Sequence, residues 1–261
     1  MPIDDGLIGG IHVARVTRSE AAADLEQHDH EAFQASTIDA LLRGSLAGDL
    51  TIAELLDHGD LGLGTRNLLD GELVVLDGEA WVALADGSVV RAAPDDRTPF
   101  AVVCRFTAEI EGPVGPGAFD AVTAQLDALA PPSAACLAVR IDARVERASL
   151  RSVPRQDQPD PTLADAIAAQ VVWESGGFDA AIVGFRFPRD VDGLELPGWH
   201  LHLIADDRSV AGHVLDLEIA RGRARVEIQD ELHVEVPAGV AVGRVGYDAE
   251  RVRRLEEMER D

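Results

Sequence analysis

Lysine is absent from this chain of 261 residues, so all 23 of its basic residues are arginine. Enzymes that form a Schiff base with a carbonyl substrate, attach pyridoxal phosphate or bind phosphate through a P-loop all need a lysine. Those three classes are therefore excluded. Chemistry on carbonyls or carboxylates would have to use a metal, arginine and carboxylates.

Cysteines and long apolar runs are also scarce. Two cysteines, Cys104 and Cys136, are too few for a disulfide scaffold, and each lies in an apolar run where a buried thiol is expected. No stretch approaches the roughly 18 apolar residues that a membrane span needs. The first residues lack the basic and apolar segments of a signal peptide. We therefore expect a cytoplasmic protein with no membrane partner.

Acidic residues, in contrast, are abundant. The chain has 47 of them against 23 basic residues, and its net charge of −24 argues against a nucleic-acid partner. With 46% apolar residues the chain can still bury a core. On such an acidic protein, an arginine placed in a cleft would be a conspicuous receptor for an anion.

Turn and capping signals predict an α+β fold. The pairs Asp70-Gly71, Asp77-Gly78 and Asp86-Gly87 interrupt apolar runs and predict a β-meander over about 68–92. Helices are predicted over 36–46, 51–59, 119–129, 162–170 and in the tail, 247–261. Residues 150–162, rich in Arg, Gln, Asp and Pro, are predicted to be a linker.

The expected architecture is a mixed, β-barrel-like sheet with few helices, in which two β-rich halves pack together. It forms one domain over residues 1–261, either undivided or made of subdomains at about 30–148 and 160–261.

Three histidines are the main functional signal. His200 and His202 alternate on one predicted strand and so project from the same face. Turn-forming residues follow, and a hairpin folded there would bring His213 beside the pair. Three converging imidazoles are the ligand set of an open metal site. The alternative, surface or hydrogen-bonded histidines, stays open from spacing alone.

Other polar residues have a structural as well as a functional interpretation. Glu72 begins a predicted strand and is either a residue flanking a turn or a catalytic carboxylate. Arg140 interrupts an apolar strand, so it must reach solvent, a salt-bridge partner or a ligand. The glutamates near the end of the chain would by themselves be a solvated helix face.

The order of motifs resembles the α-acetolactate decarboxylase family from about residue 33 to the end of the chain. The resemblance is carried by the runs 33–37, 58–73, 98–101, 138–142, 182–185, 198–202 and 212–216. The Gly-Thr-x-Asn-x-Leu-Asp-Gly-Glu pattern and the histidine hairpin are its most specific parts. Arg66 and Trp199 depart from the family pattern, and Arg66 beside Thr65 could change the charge of the pocket.

The resemblance implies a zinc enzyme that converts α-acetolactate to acetoin and CO₂. Zinc would be held by the three histidines, His200, His202 and His213. The catalytic residues carried over are Thr65, Glu72, Arg140 and a glutamate of the tail, Glu259, with Glu256 as its alternative.

The same parts make chemical sense. Loss of CO₂ from a β-keto acid leaves an enediolate, which zinc would stabilise as a Lewis acid. Arg140 would pair with the departing carboxylate, and Glu72 or the tail glutamate would deliver the proton. A homodimer is expected by default.

Three other functions stay open at this point. One is a cupin-like metalloenzyme, because cupins also use a His-x-His strand. Another is a non-catalytic protein that binds a metal or a small acid. The third is a decarboxylase for another 2-hydroxy-3-keto acid.

Overall fold

A computed structural model of the protein describes residues 10–16, 30–131, 134, 136–157, 163–188, 191 and 193–237. The predicted helix at 247–261, with Glu256 and Glu259, lies outside the described residues.

The described chain is mostly β-strand. Its strands are β1 (Gly10–Val16), β2 (Glu31–Ala35), β3 (Leu50–Thr51), β4 (Leu61–Thr65), β5 (Glu72–Leu76), β6 (Glu79–Ala83), β7 (Val89–Arg91), β8 (Arg97–Thr98), β9 (Phe100–Cys104), β10 (Ile110–Val114), β11 (Gly117–Ala118), β12 (Cys136–Ser152), β13 (Val171–Ser175), β14 (Phe178–Phe187), β15 (Gly198–Ala205), β16 (Ala211–Gln229) and β17 (Glu231–Pro237). Its helices are α1 (Ile38–Leu42), α2 (Ile52–His58), α3 (Phe119–Leu129) and α4 (Leu163–Ala168), and a 3₁₀ turn covers Asn67–Leu69.

The structure contains a helix cap and a hairpin turn that the sequence predicts. At the start of α2, the Thr51 hydroxyl accepts from the backbone N–H of Glu54, whose carboxylate accepts from the backbone N–H of Thr51. This is the capping box. Asp77 and Gly78 have φ angles of 53° and 73°, as a two-residue hairpin turn requires, and they join β5 to β6.

The linker predicted over 150–162 is wrong at its start. Strand β12 runs on through Leu150, Arg151 and Ser152, all of which are buried. The Ser152 hydroxyl donates to the carbonyl of Ala83 at 2.8 Å, which ties β12 to β6. Polar composition suggested a loop here, but these polar groups have partners inside the protein.

The first sheet has eight strands in the order β1-β17-β2-β9-β4-β5-β6-β7. Its outer face packs on α2 through Phe33, Leu55 and Val103, among other apolar residues. Strand β17, from the C-terminal part of the chain, lies between β1 and β2 in this sheet.

The second sheet has seven strands and partly closes on itself. Its order is β10-β16-β15-β14-β12-β13, β11 pairs with β16, and β16 also pairs with β12. Strands β12, β14, β15 and β16 thereby form a ring, which is the barrel-like feature of the fold. Helix α3 covers the outer face of this sheet through Val122 and Leu126.

A shared apolar core lies between the two sheets. Val74, Phe100 and Val102 of the first sheet belong to the same buried cluster as Val183 and Phe185 of the second. The α+β fold with few helices is confirmed. Strand β17 joins the first sheet, while β10 to β12 belong to the second.

None of the described helices has the length and apolar character needed to span a membrane.

Candidate metal centre

The histidine hairpin forms as predicted. Strands β15 and β16 pair antiparallel with His202 directly opposite His213, and alternation along β15 places His200 on the same face. All three rings are buried, and their centroids lie 5.0 to 5.3 Å apart. One nitrogen of each ring lies within 4.8 Å of the others.

This donor set fits a divalent metal. Three imidazoles in a buried pocket match open zinc sites, in which the fourth position is left for water or substrate. A contact outside the centre supports the fit, since Nδ1 of His202 lies 2.7 Å from the carbonyl oxygen of Leu73. A carbonyl oxygen can only accept, so Nδ1 carries the proton and Nε2 carries the lone pair that a metal needs.

Glu72 reaches the centre from the first sheet. Its Oε2 lies 3.7 Å from Nε2 of His202, and the residue is buried. The turn before it holds it there: Gly71 has a φ of +99°, and a Cβ added to it would lie 2.5 Å from Cγ1 of Val82. The Thr65 hydroxyl, directly across the β4–β5 pair from Glu72, donates to the carbonyl of Gly71 at 2.8 Å.

Arg151 is a site residue that sequence reasoning missed. It pairs with His213 across β12 and β16, and Nε lies 3.9 Å from Oε1 of Glu72. A second nitrogen donates to Oε1 of Gln170 at 3.3 Å. Its side chain is only 6% exposed. The available signal was the alternation of apolar residues in β12 up to Leu150, at the edge of the predicted linker; the strand itself continues to Ser152.

These side chains line one cavity between the sheets. Its polar lining consists of Thr65, Glu72, Arg151 and His200. The rest is apolar except for the backbone of Gly64, and consists of Ile38, Leu41, Leu69, Phe100, Val153, Ile167 and Leu196. The cavity therefore joins one cation, one carboxylate and one member of the histidine cluster, His200, within an apolar wall.

Arg140 does not join this group, contrary to the role inferred for it from the sequence. Arg140 and His202 both pair with Val183, so their backbones are about 10 Å apart. The guanidinium, however, contacts Asp77 at 2.6 Å and Asp142 at 3.0 Å. Burial lowers the pKa of Arg140, but the hydrogen bond and charge of Asp142, with those of Asp77, outweigh it and raise that pKa.

The surroundings of Arg140 form a separate open depression. Arg144, Arg221 and Arg223 line it together with Asp179 and Asp206. Its arginines and carboxylates are mixed, as in a solvated network of cross-strand ion pairs.

Arg66 is also directed away from the cavity. Its guanidinium contacts Asp70 at 2.5 Å and Asp96 at 3.7 Å. The extra charge that the sequence places beside Thr65 is therefore balanced by two carboxylates.

Comparison with known proteins identifies the family. The family model described as alpha-acetolactate decarboxylase matches residues 32–241. The chain belongs to this family. The matched range includes the three histidines, Thr65, Glu72 and Arg151, and it ends before Glu256 and Glu259.

Relatives of the family match along most of their length. The alpha-acetolactate decarboxylase of Methylococcus capsulatus is 35% identical over 239 residues, which are 91% of each chain. That of Methanosarcina mazei is 38% identical over 226 residues, 86% of this chain and 77% of the relative.

A solved structure agrees with the fold. The crystal structure of alpha-acetolactate decarboxylase from Bacillus subtilis strain 168 has a TM-score of 0.82 and 26% identity, and it covers 88% of this chain and all of that one.

Proposed function

We propose that this chain decarboxylates α-acetolactate to acetoin and CO₂ with the help of a divalent metal, zinc. One observation carries the proposal: a carboxylate and a buried arginine line one cavity together with His200, which belongs to a cluster of three buried histidines. The family match supports the substrate and the reaction type.

His200, His202 and His213 would hold the metal. When bound, zinc supplies a Lewis acid that draws electron density from the substrate's oxygens as CO₂ leaves. Because Nδ1 of His202 donates to Leu73, that ring has its orientation and its protonation set by the first sheet.

Arg151 would bind the substrate carboxylate, the role that the sequence suggested for Arg140. A buried guanidinium with fixed neighbours can form paired, charge-assisted hydrogen bonds to a carboxylate. Its contacts with Glu72 and Gln170 support this, because they orient the guanidinium at the cavity wall before substrate arrives.

Glu72 would supply the proton. Loss of CO₂ breaks the bond from the carboxylate carbon to C2 and leaves the electron pair in an enediolate. One proton delivered to C2 then gives acetoin. Glu72 lies beside both His202 and Arg151, so it is adjacent to metal ligand and carboxylate receptor alike. Glu259, which lies outside the described residues, stays our candidate for a second carboxylate.

Thr65 and the apolar wall would prepare the cavity. The Thr65 hydroxyl donates its proton to the carbonyl of Gly71 and so positions the turn that carries Glu72. Because that proton is already used, the hydroxyl can only accept a hydrogen bond from a substrate hydroxyl. Ile38, Leu41 and Leu196 exclude water from the polar groups, which strengthens their interaction with a bound anion.

The decisive experiment measures CO₂ and acetoin from racemic α-acetolactate before and after chelation and zinc readdition. We expect activity that is lost with the metal and returns with zinc. A folded, zinc-loaded protein that forms no acetoin would support a non-catalytic binding protein instead. Comparing turnover on acetohydroxybutyrate tests the third sequence-based alternative. The homodimer and the cytoplasmic location stay predictions.

A further inference from the structure

Glu195 is a buried carboxylate next to the metal centre that no role above explains. It is 1% exposed, and its Oε1 lies 3.7 Å from Nδ1 of His200. Removing a carboxylate from water costs several kcal/mol unless charge or hydrogen bonding compensates for it. A buried acid this close to a candidate ligand can act on the orientation and charge of that ligand.

The backbone around Glu195 is held by two other parts of the fold and by a hydrogen bond within its own segment. The Gln34 side chain donates to the carbonyl of Leu194 at 2.7 Å, and the backbone N–H of Ile38 donates to the same oxygen at 2.9 Å. The backbone N–H of Glu195 itself donates to the carbonyl of Val191 at 3.2 Å. The carboxylate is thus carried on a segment fixed to β2 and to the start of α1.

His200 and His202 differ in what stands behind the ring. Nδ1 of His202 lies 2.7 Å from a neutral carbonyl oxygen, whereas Nδ1 of His200 lies 3.7 Å from a carboxylate oxygen. An outer acceptor fixes which nitrogen carries the proton, and a charged acceptor also makes the other nitrogen a stronger donor to a cation.

We propose that Glu195 is a positioning residue that accepts from Nδ1–H of His200, directs Nε2 to the metal and strengthens metal binding by its negative charge. The inference rests on the proposed metal centre. It predicts that an acid behind His200 strengthens metal binding more than a neutral group of similar size does.

Metal affinity tests it without depending on turnover. The dissociation constant for Zn²⁺ is measured by competition with a chelator for the full-length parent, E195Q and E195A. E195Q keeps the side-chain volume and an acceptor oxygen but loses the charge. E195A loses the volume, the acceptor oxygen and the charge. We expect Zn²⁺ binding to weaken about tenfold in E195Q and up to about 100-fold in E195A.

Glu227 offers a matched control. It is also 1% exposed, but it contacts Thr107 and His30 rather than the centre, so E227Q should bind Zn²⁺ as the parent does. The absorption spectrum of the Co²⁺-loaded protein adds a readout of the ligands themselves. It should shift in E195Q and E195A and stay unchanged in E227Q.

Parental affinity and spectrum in E195Q would overturn the inference, as would an equal loss of affinity in E227Q. If E195A does not fold, E195Q decides alone. A parent that binds no Zn²⁺ would overturn the inference together with the metal centre. A parent that binds Zn²⁺ but forms no acetoin would contradict the proposed reaction only, and the Glu195 comparison would still decide.

Discussion

Arg140 and Arg151 lie on the same face of strand β12, and their surroundings differ. At one end of the strand, Arg140 borders an open depression and is paired with Asp77 and Asp142. At the other end, Arg151 lies beside Glu72 in a cavity lined by apolar side chains. Solvent weakens the ion pairs at the open end, while the closed end keeps a charge where a substrate anion can use it.

The difference teaches that a charged residue in a strand is not by itself a functional signal. Arg140 stands out because both of its neighbours in sequence are apolar, whereas Arg151 is followed by Ser152 and a stretch rich in polar residues and does not stand out. Burial and the elements packed above each residue decide which one can bind an anion. The following predictions compare the two ends.

The largest effect expected is at the metal ligands of the closed end. His202→Ala should lose bound zinc and lower kcat/KM by more than about 1,000-fold, which corresponds to about 4 kcal/mol of transition-state stabilisation. Metal content and acetoin formation are measured together. His30→Ala, a ring paired with Glu227, serves as the control. Full zinc content in the His202 variant would contradict the ligand assignment.

The second largest difference in activity is expected between variants of the carboxylates at the two ends of β12. Glu72→Gln should keep zinc and lower kcat by about 1,000-fold, the middle of the range for a lost acid or base. Asp142→Asn, which removes a carboxylate beside the other arginine, should have parental activity.

The stereochemistry of the product sharpens this test. Without a proton donor fixed on one side, acetoin from Glu72→Gln should lose enantiomeric purity. Parental kcat with a single enantiomer would transfer the donor role to Glu259, to be checked with E259Q.

The third largest difference in activity is expected between variants of the two arginines. Arg151→Ala should lower kcat/KM by about 100-fold while zinc stays bound, because about 3 kcal/mol is typical for a hydrogen-bonded charge. Arg140→Ala should stay within about twofold of the parent, since exposed ion pairs contribute little. A loss of activity in the Arg140 variant and none in the Arg151 variant would reverse the assignment.

The last comparison concerns stability, not activity, at two Asp-Gly turns. Gly71→Ala should lower the free energy of unfolding by about 3 kcal/mol, because its positive φ and a close contact with Val82 add up. Gly78→Ala has a positive φ but nothing within 4 Å of its Cβ, so about 1 kcal/mol is expected. Urea unfolding measures both, and equal losses would contradict the steric argument.

Much of the site could be predicted because its signals are local. The histidine hairpin depends on alternation along β15 and on turn-forming residues, all within a short stretch. Glu72 follows a glycine whose φ of +99° disfavours other residues, so the pattern around it is specific. Arg151 and Glu195 could not be predicted in this way. Arg151 lies against residues distant in sequence, such as Glu72. Glu195 is close in sequence to His200, but its segment is held in place by the distant residues Gln34 and Ile38.

The sequence by itself determined the strands, the turns and the three histidines, because these depend on the backbone preferences and alternation of neighbouring residues. It also excluded lysine chemistry by composition alone. Only the tertiary structure decided which arginine reaches the cavity and which carboxylate stands behind His200. The physical reason is that the strength of a charge depends on burial and on its partners, and both arise when the two sheets pack together.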